Sequence, residues 1–197
     1  MTAWLTALGV SHDIQCLFAV DGNTKFDYGD GLEELVSGRI KVPASINIWR
    51  GGNEMATTVI ISWSAIEAMA MLACNSAFSG RLGNIYILSL GCRVSKGQTD
   101  WIARHLSTRK LMLVFPANLA GVATDIAIAT AIRRFSVRLT WYDPVVIVNC
   151  RNREYRFSAD ELSLAAFERA ADVRSRVRTI KPPYCNTFLE QLYEQRK

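Results

Sequence analysis

Short apolar runs alternate with helical repeats between Thr57 and Arg134. Thr57-Thr58-Val59-Ile60-Ile61 is continuous and β-branched, the composition of a strand covered on both faces, as in a parallel sheet. Ser64 then stands as a helix cap with Glu67 at capping-box spacing, and Met69, Leu72 and Ala73 supply the apolar stripe of the helix. Asn84 to Leu90 is the next strand, ended by Gly91, and Gln98 to Leu106 the next helix. Lys110 to Phe115 is a third strand. Leu119 to Arg134 is a long helix whose small-residue face, Ala120, Ala123, Ala127 and Ala131, suits close packing on a sheet. Strands alternating with helices in this way predict a parallel α/β layer with right-handed crossovers.

The flanks are less regular. Ile14 to Val20 is expected as a strand, with Asp21-Gly22-Asn23 as a turn. Cys16 to Val20 and Lys25 to Tyr28 would then form a hairpin, after which Gly29-Asp30-Gly31 breaks the chain. Trp49 to Asn53 reads as another turn, so residues 1–56 form a β-rich lead-in that is not independent of a main domain over 57–197. Val137 to Trp141 is a fourth strand of the core. Val145 to Asn149 and Glu154 to Phe157 make a hairpin. Ser158 with Glu161 opens a helix to about Asp172, Val177 to Ile180 is a last strand, and Thr187 to Gln195 a terminal helix.

Charge adds an asymmetry. The net charge is +5, but residues 1–100 hold 7 Lys/Arg against 9 Asp/Glu, and residues 101–197 hold 16 against 9. A basic second half suits a polyanionic partner. Arg133, Arg134, Arg151, Arg153, Arg174, Arg176, Arg178 and Lys181 are its candidate phosphate contacts. Arg174, Arg176 and Arg178 alternate, so an extended chain would place them on one face.

The 5 cysteines are scattered and the only histidines are His12 and His105, which argues against a structural zinc site. Cys74 and Cys150 lie in apolar surroundings and are expected in the core. No apolar run is long enough for a membrane span, and no basic-then-apolar leader is apparent, so cytoplasmic residence is expected. Neither GxGxxG nor GxxxxGK[ST] occurs.

In order and sequence the core resembles the Toprim domains of plasmid and mobile-element primase-like and relaxase-associated proteins. The resembling segments are Ser64-Ala65-Ile66-Glu67-Ala68-Met69 after an apolar strand, Gly91 with Gln98, and Phe115-Pro116-Ala117-Asn118-Leu119-Ala120-Gly121. They cover about residues 57–134. Lys181-Pro182-Pro183 and Phe188-Leu189 match the family's ending weakly. The resemblance implies a Toprim-like, mostly parallel sheet flanked by helices. It also implies a catalytic Glu acting as general acid or base and two aspartates that hold Mg²⁺.

Those three acids fall on Trp63, Pro116 and Asn118. Mg²⁺ wants oxygen ligands, carboxylates above all, and these side chains supply one neutral oxygen between them. The expectation is a pseudoenzyme with no metal and no cofactor. Its role would be to bind nucleic acid, DNA or RNA, as an accessory of DNA processing. Two alternatives are a protein-interaction or inhibitor role through the degenerate face, and a divergent metal-dependent phosphoryl-transfer enzyme using Glu67 or Asp125. Against the last, Glu67 is expected to complete its capping box and Asp125 to be an exposed helix residue. Trp63 is open to two uses, stacking on a base or partner and plugging the emptied site.

Overall fold

The computed structural model describes residues 2–20, 24–36 and 39–196. The expected Asp21-Gly22-Asn23 turn lies outside them. Three strands with apolar centres form the middle of the sheet: β5 (Thr58–Ser62), β6 (Ile85–Ser89) and β7 (Lys110–Val114). β5 pairs in parallel with both, and α3 (Ala65–Cys74), α4 (Lys96–His105) and α5 (Leu119–Ile132) follow them in turn. Ile60, Ile85, Ile87, Met112 and Val114 point to the α3 face, and Val59, Ile61, Leu88, Leu111 and Leu113 to the α4–α5 face. Each strand is thus coated twice, which is why its apolar run has no polar alternation.

The sheet is five-stranded and mixed, in the order β11-β7-β5-β6-β4. Its fourth parallel member is β11 (Arg178–Thr179), not the expected Val137–Trp141. Its antiparallel edge is β4 (Trp49–Gly52), where a turn was expected. β8 (Val137–Tyr142) instead joins β9 (Val145–Cys150) and β10 (Arg153–Ser158) in a separate antiparallel sheet. That sheet buries Val146, Val148 and Cys150 with Ile126 and Ala129 of α5 and Phe167 of α6 (Leu164–Ala171). Ser163 caps α6, whereas Ser158, expected to open it, ends β10 and Glu161 lies in the turn between them.

The first segment departs most from expectation. Residues 12–20 are not a strand: Ser11 caps α2 (His12–Leu17), which follows α1 (Ala3–Ala7). The hairpin forms one step later, from β1 (Lys25–Asp27) and β2 (Leu32–Val36) around Gly29-Asp30-Gly31, with β3 (Arg39–Lys41) completing a three-stranded sheet. Leu5, Ile14, Phe18 and Phe26 share one apolar cluster with α3 and with α7 (Phe188–Glu194). Phe18 stacks on Trp49, and Phe26 meets that ring edge-on at 5.0 Å. The lead-in is therefore packed into the same core as the main sheet.

Among the described residues, no helix is long and apolar enough to cross a membrane.

Candidate functional site

The topology makes one crevice. From β5 the chain turns to the α3 face, and from β7 to the α5 face. The carboxyl ends of these adjacent strands mark the reversal at which open α/β sheets commonly bind ligands. Ser62 is aligned with Val114, so Trp63 and Pro116 lie together at this edge, as expected. Asn118 caps α5, its side chain accepting from the Gly121 amide at 3.0 Å. A Cβ on Gly121 would run into the Pro116 carbonyl, so the helix sits this close only because residue 121 has none.

The chain itself fills this crevice. Glu33, on β2 and 0% exposed, places its carboxylate on the first turn of α3. It accepts from the Ala65 and Ile66 amides, both at 2.9 Å, and from the Ser64 hydroxyl at 2.7 Å. Tyr28 donates to it at 2.6 Å and also contacts Ser89 at 2.5 Å. Burial pushes the Glu33 carboxyl up, and the four donors partly offset that. The position a phosphate could take at this helix N-terminus is occupied by an internal carboxylate.

Glu67 corrects the capping-box expectation. Its amide donates to Ser64, but its side chain turns away from the cap. The carboxylate instead accepts from Phe188 at 2.5 Å and Leu189 at 3.2 Å, the first amides of α7. Burial pushes Glu67 up to about 7 against the helix amides, which pull it down. The C-terminal segment is held at the crevice by this contact and by Ala117, which donates to the Asn186 carbonyl at 2.8 Å.

Asp125 is not exposed: it is 1% accessible, 2.6 Å from the Lys181 ammonium. Burial raises it to about 6, with Lys181 opposing. Lys181 also donates to the Phe115 and Pro116 carbonyls, at 3.0 and 3.2 Å. This residue, a candidate phosphate contact in the sequence, is bound inside the fold.

The Trp63 ring, like Ile48, Val94 and Trp101, packs against the α4-side core, and its Nε1 is buried with no partner among the described residues. Ser62 donates to the Val114 carbonyl, and His105 stacks on Trp101 with Nδ1 2.8 Å from its carbonyl, so no nucleophile–base pair forms from them. Among the described residues, no three of His, Cys, Asp or Glu converge as a metal-binding group.

An open groove lies instead between α4 and α5, with a volume of about 1100 Å³. Ala123, Ala127 and Ala131 line it, so the small-residue stripe faces the groove and not the sheet. Arg93, Lys96, Arg104 and Arg134 surround it with Asp100 as the single carboxylate. Lys96 pairs with Asp100 at 2.5 Å. The three arginines make no ion pair among the described residues. Thr99, Thr124 and Thr130 donate to carbonyls of their own helices, so the cations dominate what the groove offers.

Of the other sequence candidates, Arg133 is exposed at the end of α5, and Arg151 and Arg153 are exposed at the β9–β10 turn. Arg151 lies over the Phe135 ring at 4.9 Å. Arg174, Arg176 and Arg178 are exposed, but Arg176 has φ 63°. That left-handed residue breaks the extended run, so the alternation expected to align all three does not pass through it. Arg93 and Arg104 were not singled out in the sequence, since neither sits in a charge run.

Comparison with family models, with curated proteins and with solved structures finds no match.

Proposed function

We propose that this chain is a catalytically inactive, Toprim-like protein that binds a nucleic-acid strand in the α4–α5 groove. It would serve as a non-enzymatic accessory of DNA processing. The observation that carries the reading is the groove itself: about 1100 Å³ flanked by Lys96 and by three arginines with no ion pair among the described residues, and by one carboxylate. Guanidinium forks match phosphate oxygens, and a polyanion relieves the mutual repulsion of such a row. The Toprim-like part rests on the three parallel strands with Trp63 and Pro116 at adjacent ends, on Asn118 capping α5, and on Gly121 against Pro116. Inactivity is supported by the carboxylates of Glu33, Glu67 and Asp125, each already engaged inside the fold.

The test is fluorescence anisotropy with labelled single- and double-stranded oligonucleotides across a salt series. Wild type should bind at low salt and lose affinity linearly on a log–log plot. Replacing Arg93, Arg104 and Arg134 together with Gln should flatten the slope by about 0.7–0.9 for each phosphate no longer neutralised. Absence of binding at low salt would overturn the binding role. Mg²⁺-dependent cleavage or nucleotidyl transfer by the pure protein would overturn inactivity.

A further inference from the structure

A second cavity opens at the opposite end of the sheet, where β5, β7 and β11 begin, with a volume of about 630 Å³. The register explains its make-up. Thr58 is aligned with Lys110 and Arg178 with Met112, and Met112 belongs to the α3-face core. Lys110, two residues before Met112, therefore shares that face. The connection from α3 to β6 brings Asn75, Phe78 and Arg81 over the same space.

Three features single this cavity out. Arg81, Lys110 and Arg178 all line it, and no carboxylate does. None of the three makes an ion pair among the described residues, whereas Lys25, Lys41, Lys96 and Arg156 each find an acid. Beside the cations lies an apolar wall that includes Phe78, Met112 and Ile180. Gly83 also lines the cavity. Its φ lies outside the left-handed region and a Cβ there would meet nothing within 4 Å, so packing does not explain the glycine. Bare backbone at a cavity wall is what close approach of a ligand requires.

We infer that this cavity is a binding site for a phosphate-bearing small molecule of nucleotide size, its phosphate held by Arg81, Lys110 and Arg178 and its apolar or planar part against Phe78 and Met112. The volume falls within the range of small-molecule sites, about 300–1,000 Å³. Planar guanidinium groups and an ammonium together suit a phosphomonoester dianion. The site lies on the α3 face, away from the α4–α5 groove, and does not depend on the groove's role.

The experiment is calorimetry of the whole protein at low salt with adenosine monophosphate, adenosine and inorganic phosphate. The monophosphate should bind, phosphate should compete with it, and adenosine should bind at least about tenfold more weakly. Replacing Lys110 and Arg178 with Gln should weaken the monophosphate by about tenfold or more. It should leave oligonucleotide binding, read through Arg93, Arg104 and Arg134, unchanged. A 5′-phosphorylated oligonucleotide that loses its affinity in the Lys110/Arg178 variant, while the monophosphate fails to bind wild type, would overturn the small-molecule site. So would equal binding of adenosine, or no binding of phosphate or monophosphate at millimolar concentration. Amide shift perturbation in wild type gives a readout without mutation. Shifts confined to residues 80–84 and the starts of β7 and β11 support the site, and shifts elsewhere overturn it.

Discussion

At the carboxyl ends of β5 and β7, Glu33, Glu67, Asp125 and Lys181 are each answered from within the chain. At the amino ends, Arg81, Lys110 and Arg178 surround a cavity with no acid in its lining. The α4–α5 groove resembles the second case, with Asp100 its single carboxylate. Burial explains the difference. A charge taken out of water must be paired or hydrogen-bonded, whereas an exposed one is screened and can remain unpaired. The edge where the fold would place chemistry is therefore the edge most committed to holding the structure together.

The largest effect should come from breaking the buried ion pair. Lys181→Met leaves Asp125, 1% exposed, without its counter-charge and should cost about 3–5 kcal/mol in denaturant unfolding. Adding Asp125→Leu should recover most of that loss. Asp125 is raised to about 6 with Lys181 holding it down, so the variant's deficit should be smaller at pH 5, where the acid takes up a proton, than at pH 8. A Lys181→Met protein of normal stability with weakened oligonucleotide binding would break the comparison.

Glu33→Ala comes next. It orphans the Ala65 and Ile66 amides and the Ser64 hydroxyl, leaves the Tyr28 hydroxyl with Ser89 alone, and should cost about 3 kcal/mol or more. Lys41→Ala, which removes a surface partner of Glu34 on the same strand, should cost under about 1 kcal/mol. Equal losses in thermal melts would show that the carboxylate is not what holds α3.

These contacts were unequally legible in the sequence. β5, β6, β7 and their helices could be read because their periodicity is local and a cap, Ser64, adjoins the first of them. α2 was readable but hidden: Ser11 caps it and Ile14, Leu17 and Phe18 keep helical spacing, while the apolar stretch from Cys16 to Val20 suggests a strand. Asp125 had a signal too, an acid followed by Ile126 in an almost uncharged helix. Glu33 had none, because nothing in Leu32–Val36 says that one of its acids will cap a helix three strands further along the chain, after β3, β4 and β5. β4 was missed for the same reason, since only its partner strand makes it a strand, whereas Val177 to Ile180 was read as a strand without its place beside β7.

The pH dependence of folding sharpens the contrast further. Glu67 is raised from its ordinary 4.5 to about 7, so the folded state holds that proton more tightly than the unfolded chain. Its contribution to stability is full below pH 4.5 and lost as pH rises to about 7, amounting to about 3 kcal/mol at most. Glu67→Gln should remove this slope, at a constant cost of about 1 kcal/mol for one weakened amide contact. Parallel pH profiles of wild type and variant would assign the slope to another group.

The smallest expected effect lies on the exposed side. Arg176 is exposed, makes no ion pair among the described residues and sits at φ 63°, where a side chain is strained and glycine is not. Releasing that strain against the added flexibility of glycine leaves Arg176→Gly neutral or stabilising by up to about 1 kcal/mol. For a chain of this size that is a rise in melting temperature of roughly 2–4 °C at most. The same variant separates shape from charge. If Arg176 only turns the chain toward β11, oligonucleotide binding keeps its salt slope. If it grips a phosphate, as its place in the basic second half suggests, the slope flattens by about 0.7–0.9 while the protein stays as stable. A destabilisation of more than about 1 kcal/mol would contradict both, and would mean that Arg176 is held inside the fold as Lys181 is.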